Sequence, residues 1–271
     1  MQREAQPTPY TLANLLRIVQ RLRDPEHGCP WDLAQDFQSI VPSTLEECYE
    51  LVAAIEAQDY PHLEDELGDV LFQVVFYAQL GRERGLFDFA SVVHRLADKL
   101  LRRHPHVFAD ARIEGVPGAG GAAARVQERW EAIKSAERAD RDQHGVLDDV
   151  PLALAALPRA QKLQRRAARV GFDWPDARSV QRKVDEELAE LRAALAADDP
   201  EAIAEEFGDL LFTLVNLGRH MQLDAETALR RASSKFEQRF RRMETAARAR
   251  GVGLDSLGDS ALDELWEAAK I

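Results

Sequence analysis

Two stretches of this sequence set five carboxylates in the same pattern. Glu46, Glu47 and Glu50 form an EExxE run, followed by Glu66 and Asp69 as ExxD. Glu186, Glu187, Glu190, Glu206 and Asp209 repeat the set, each displaced by 140 (186 − 46, 209 − 69). Helical spacings of three and four residues put side chains on one face. A short connection around Asp59 to Pro61, or within "ADDPEA", would fold each pair of helices into an antiparallel hairpin. The two acidic faces then meet across the seam. Carboxylates converging there would repel, and burying ions unpaired costs several kcal/mol each. A divalent cation resolves the conflict. All-oxygen ligation selects a hard ion, Mg²⁺, with Mn²⁺ as a substitute. Mg²⁺ keeps waters and completes its shell with substrate phosphates, so the expected chemistry is metal-assisted attack of water on a phosphoryl group.

Basic residues recur as well. Lys99 and Arg103 return as Lys235 and Arg239, displaced by 136 (235 − 99), and Trp130 in "RWEAIK" returns as Trp266 in "LWEAAK". Cations at these positions suit a polyphosphate that extends beyond the reach of one metal ion. An indole there serves either as core or as a stacking surface for a base. The competing reading is a solvated acidic helix face. With 47 acids in 271 residues, five recurring at preset positions by chance has odds of about one in ten thousand. A di-iron carboxylate bundle would carry ExxH, and those histidine positions hold Glu50 and Glu190.

The elements that must position these residues are helical. Ala, Leu, Glu, Arg and Gln dominate and β-branched alternation is scarce, so the chain reads as all-α. Helices are expected near 10–23, 43–57, 62–83, 89–103, 124–138, 152–169, 179–197, 200–220, 225–250 and 260–270, separated by breakers such as "DPEHGCP", "GFDWPD" and "GVG". The internal repeat divides the chain into domains 1–139 and 140–271. Gly68 and Gly208, each between the acids of its ExxD, suggest close helix approach or packing. A net charge of −12 argues against nucleic-acid or membrane-surface binding. The two cysteines, Cys29 and Cys48, lie in no metal-binding or redox spacing. With no bilayer-length apolar run, the expected location is the cytoplasm.

With those residues assembled, the sequence resembles the MazG nucleoside triphosphate pyrophosphohydrolases of the tandem-domain type. The resemblance is carried by "GCPWDLAQDFQSIVPSTLEECYE", "ELGDVLFQVVFYAQ", "RRHPHVF", "KLQRRAARVGFDW", "EEFGDLLFTLVNLGRH" and "KFEQRFRRME". It implies helical units that dimerise into four-helix bundles as a homodimer, and Mg²⁺-dependent cleavage of nucleoside triphosphates to monophosphate and pyrophosphate. Carried over by motif, Glu187, Glu190, Glu206 and Asp209 hold the metal, with Glu47, Glu50, Glu66 and Asp69 as a second site. Lys183, Lys235, Arg239, Trp266 and Lys270 bind the nucleotide, and Lys99, Arg103 and Trp130 do so more weakly in the first half. Glu186 or Glu187 takes the proton from the attacking water. Where the second half has Lys183 the first has Ser43 (183 − 140), so catalysis is expected in the second half. A nucleotide sensor without turnover and a helical adaptor are the rival readings.

Overall fold

A computed structural model describes residues 9–108, 113, 133 and 145–270. The chain divides into two compact units, Met1–Ser135 and Ala136–Ile271, against the boundary expected at 139/140. The first holds α1 (Leu12–Leu22), α2 (Pro30–Leu33), α3 (Val41–Ala57), α4 (Tyr60–Glu83) and α5 (Phe89–Arg103). The second holds α6 (Ala156–Ala168), α7 (Ala177–Ala197), α8 (Pro200–His220), α9 (Ala225–Ala249), a 3₁₀ turn (Leu254–Ser256) and α10 (Asp259–Ala268). Among the described residues there is no strand, and the protein is all-α as expected. Of the helix expected at 124–138, all but residue 133 lies outside them.

Most helix bounds fall within two residues of expectation, and two features differ for a local reason. Helix α6 begins at Ala156 rather than 152, which places Pro158 in its first turn. There proline's missing N–H is one of the unsatisfied donors anyway; four residues further in, its ring would clash with a carbonyl. The short α2 was not anticipated. It opens on Pro30 and buries Asp32, and four residues are too few to leave a periodic signal.

The central hairpin of each unit is built by the same turn. Helix α3 ends on Gln58 at φ 56° and α7 on Asp198 at φ 53°, both left-handed. The next residues, Asp59 and Asp199, cap the following helix, accepting from His62 N and from Glu201 N and Ala202 N. Two residues thus reverse the chain, and the register follows. Glu47 lies 11 residues before Gln58 (58 − 47) and Asp69 lies 10 after Asp59 (69 − 59), so at ~1.5 Å per residue both stand about 15–17 Å from the turn. The same count holds for Glu187 and Asp209 (198 − 187, 209 − 199). The acids face each other because the turn leaves no slack.

Each hairpin is braced on one side. In the first unit α1 packs on α4, and Val19, Ile40, Val75, Phe76 and Leu80 form a core joined by Phe37, Phe72 and Tyr77. In the second, α6 packs on α8, with Gln164 Nε2 donating to the Phe212 carbonyl at 2.8 Å and Gln161 Nε2 to that of Leu223 at 3.1 Å. Met243, Ala247, Leu265 and Ala269 make a separate α9–α10 core. Each hairpin also keeps an exposed apolar stripe among the described residues. Leu67, Leu71 and Val74 are exposed on α4, as are Phe207, Leu211 and Leu214 on α8. Gly68 and Gly208 lie in those stripes with nothing within 4 Å of where a side chain would begin. Close approach at these glycines is therefore not made among the described residues.

Candidate functional site

In the first unit, carboxylate oxygens of Glu47, Glu66 and Asp69 lie within 4.8 Å of one another. Two oxygens on opposite sides of one Mg²⁺, each at about 2.1 Å, are about 4.2 Å apart, so small side-chain shifts bring all three onto one ion. Glu66 decides the fit. Its side chain is only 7% exposed, and its Oε2 is buried with no hydrogen-bond partner. A buried carboxylate oxygen left without a partner costs more than any ordinary surface charge, and a cation supplies what it lacks. Its Oε1 lies 3.2 Å from His62 Nε2, one turn earlier on α4. Burial, followed by the charges of Asp69, Glu50, Glu66 and Glu46, pushes the Glu47 carboxyl above its ordinary range. Glu50 is exposed and stands outside the close group.

In the second unit the close group is Glu187, Glu190 and Glu206. Asp209 is exposed and not part of it, although its charge, after burial and those of Glu190 and Glu187, helps raise the Glu206 carboxyl above its ordinary range. The buried member here is Glu187, with a side chain again 7% exposed, and it has a partner. Lys183 Nζ lies 2.8 Å from Glu187 Oε1 and 2.7 Å from Glu186 Oε1. The hydrogen bonds to Glu186 and then Glu187 push the lysine pKa up. Lys183, expected to face phosphate, thus sits on the carboxylates. The all-oxygen donor set fits a hard cation in both clusters.

The remaining predicted residues are placed unevenly. Arg239 lies over the Trp266 ring with Cζ 5.8 Å from its centroid, and Lys270 pairs with Glu267. Lys235 is exposed on α9 and makes no ion pair among the described residues. In the first unit Lys99 and Arg103 are half-buried on α5, while Trp130 lies outside the described residues. Sequence reasoning passed over Phe236. It is exposed beside Lys235 with its ring 5.4 Å from that of Trp266, and an aromatic next to a candidate phosphate ligand is the signal that was available. It also passed over His62, four residues before Glu66 and hence on the same helix face.

Repeated two-helix hairpins, each gathering carboxylates from both helices at one level, define a class of all-α proteins built around paired acidic clusters. A profile describing the MazG nucleotide pyrophosphohydrolase domain matches residues 35–108 and 176–243, spans that contain the two hairpins. The chain is 50% identical over 258 residues to the nucleoside triphosphate pyrophosphohydrolase of Escherichia coli (strain K12), covering 94% of this chain and 95% of that one. It is 44% identical over 256 residues to the nucleoside triphosphate pyrophosphohydrolase/pyrophosphatase MazG of Thermotoga maritima, covering 94% of each. The chain belongs to the MazG nucleotide pyrophosphohydrolase family. It is an enzyme of the hydrolase class.

Proposed function

We propose that this chain hydrolyses nucleoside triphosphates to monophosphate and pyrophosphate with Mg²⁺ or Mn²⁺, and that the second unit carries out the reaction. The observation that carries the reading is the gathering of Glu187, Glu190 and Glu206 beside a lysine that the first unit lacks. When bound by these carboxylates, the cation would polarise a phosphoryl oxygen and make a nearby water more acidic. Glu187, Glu190 and Glu206 hold it, and Asp209 adds charge at their edge. Glu187 is a member of the close group, which leaves Glu186 as the acceptor of the proton from the water attacking the α-phosphorus. Lys183 moves from Glu186 onto the triphosphate, freeing that carboxylate for its task. Lys235 and Arg239 neutralise the departing pyrophosphate. Trp266, with Arg239 over its face, and Lys270 close on the nucleotide.

The bare stripes of Leu67, Leu71 and Val74, and of Phe207, Leu211 and Leu214, support a homodimer in which paired hairpins complete four-helix bundles. The helices also fit a cytoplasmic nucleotide enzyme, since among the described residues none is long and apolar enough to cross a membrane. Clearing unwanted nucleotides, or setting pool levels, would follow from this activity.

The test is product analysis with nucleoside triphosphate labelled at the α- or γ-phosphate. Labelled monophosphate and pyrophosphate are expected, and only with a divalent cation present. Release of orthophosphate and diphosphate would overturn the assignment.

A further inference from the structure

The two acidic clusters share a scaffold but differ in what balances their charge. In the second unit the buried Glu187 already has a cation, the Lys183 ammonium at 2.8 Å, which also holds Glu186. In the first unit Ser43 stands where that lysine would be (183 − 140), and a hydroxymethyl group brings no charge. Among the described residues no lysine or arginine pairs with Glu47, Glu50, Glu66 or Asp69. Instead His62 Nε2 engages Glu66 Oε1 at 3.2 Å, while Glu66 Oε2 is buried with no partner. In the second unit position 202 (62 + 140), the counterpart of His62, is alanine.

We propose that the first unit's cluster is a resident divalent-cation site, filled without nucleotide, whereas the second cluster takes its cation only together with a triphosphate. The inference rests on the proposed function, in which both clusters hold divalent ions. Its physical basis is competition. An ammonium hydrogen-bonded to Glu187 must leave before a metal ion takes that oxygen, and while it stays its positive charge, 2.8 Å from Glu187 Oε1, repels an incoming cation. A polyphosphate offers the ammonium a better partner, so nucleotide binding and metal loading favour one another in the second unit. Among the described residues of the first unit no cation has to be displaced. His62 acts there as a positioning residue: by taking Oε1 it leaves Oε2 for a cation, as hydrogen-bonded partners orient metal-binding carboxylates elsewhere.

Mn²⁺ binding to the full chain, followed by the loss of the aqueous Mn²⁺ paramagnetic resonance signal, tests this. Without nucleotide, one tight site per chain is expected, lost in Glu66→Gln and in Glu47→Gln but retained in Glu206→Gln. With a nucleoside triphosphate blocked by an α,β-methylene bridge, the wild type should bind a further Mn²⁺ that Glu206→Gln does not. Lys183→Met should create a second nucleotide-free site, with affinity raised by about tenfold or more over wild type. That gain of binding does not depend on the first unit's variants folding. If both clusters fill alike without nucleotide, or the nucleotide-free site disappears in Glu206→Gln, or Lys183→Met gains nothing, the inference fails and the proposed function stands. If no Mn²⁺ binds with or without nucleotide, both fail.

Discussion

The two hairpins show how far one scaffold constrains its site and where it stops. Both turn on a left-handed residue followed by a capping aspartate, and both bring acids level across the seam. Yet the third member of the close group is Asp69 in one and Glu190 in the other. The buried carboxylate lies on α4 in the first unit and on α7 in the second. Backbone geometry fixes that acids meet. Single side chains one turn away, Lys183 or His62, decide which oxygen is shielded, which is paired and which is left for a cation. A repeat that preserves its ligands can therefore diverge in role through their neighbours alone.

The largest effect that sharpens the contrast lies beneath the sites. Phe76 is buried in the first core with the Arg23 guanidinium 5.3 Å from its ring centroid. Its counterpart Asn216 (76 + 140) is buried in a polar network, accepting from Arg219 Nε at 2.9 Å, while Asp173 Oδ1 pairs with Arg219 and lies 3.0 Å from His220 Nε2. Phe76→Ala should cost about 3–5 kcal/mol of stability. Asn216→Ala should cost about 1–3 kcal/mol, by leaving Arg219 short of an acceptor. Denaturant melts of the full chain measure both, and equal losses would mean that the two supports are interchangeable.

Next in size is the lysine. Lys183→Ser gives the second unit the first unit's residue and should lower turnover by about 10- to 100-fold, the worth of a charged hydrogen bond of about 1.5–3 kcal/mol. Ser43→Lys should not restore it. Recovery in the double variant would show that either hairpin can catalyse once the ammonium is supplied.

A smaller effect appears in the pH dependence of stability without metal. Glu47 and Glu206 have folded-state pKa values raised chiefly by burial, then by neighbouring acids. The folded chain therefore binds more protons than the unfolded one just above the ordinary carboxylate pKa of about 4, and stability falls as pH rises through that window. Asp173 and Glu83 act oppositely. Burial would raise them, but hydrogen bonds from Arg219 and His220, and from Arg23 and Gln79, outweigh it and hold them low. Their contribution is lost as pH falls through the acid range below that value. Thermal melts in chelator should show a downward slope above about pH 4 that saturating Mg²⁺ reduces by the Glu47 share, and by the Glu206 share only when a nucleoside triphosphate is added. A slope unchanged by Mg²⁺ would separate Glu47 from any resident cation site.

The smallest expected change is at His62. His62→Ala should weaken nucleotide-free Mn²⁺ binding by about tenfold, and His62→Asn, which retains a donor for Glu66, should recover part of it. Equal binding by all three proteins would reduce the imidazole to a surface contact.

Much of this was legible in the sequence. The 140-residue repeat located both hairpins, and the EExxE and ExxD spacings named the acids that meet. What stayed hidden depends on distances that spacing does not carry. Glu47 and Glu50 share a helix face by spacing, but only Glu47 belongs to the first close group, because how α3 is turned against α4 is not carried by spacing. Lys183 reads as a phosphate ligand from its position, and its pairing with Glu186 and Glu187 is a property of the site without substrate. The bare side of α4 was visible as an apolar helix, whereas which of its two apolar stripes the chain covers depends on where α1 packs.

The most direct test of the central claim compares two full-length variants that remove one buried or half-buried carboxylate each. Turnover of a nucleoside triphosphate, followed by pyrophosphate release under saturating Mg²⁺, should fall by about 10³ or more in Glu206→Gln and by far less in Glu66→Gln. Collapse in Glu66→Gln with activity surviving in Glu206→Gln would place the chemistry in the first unit and contradict the account.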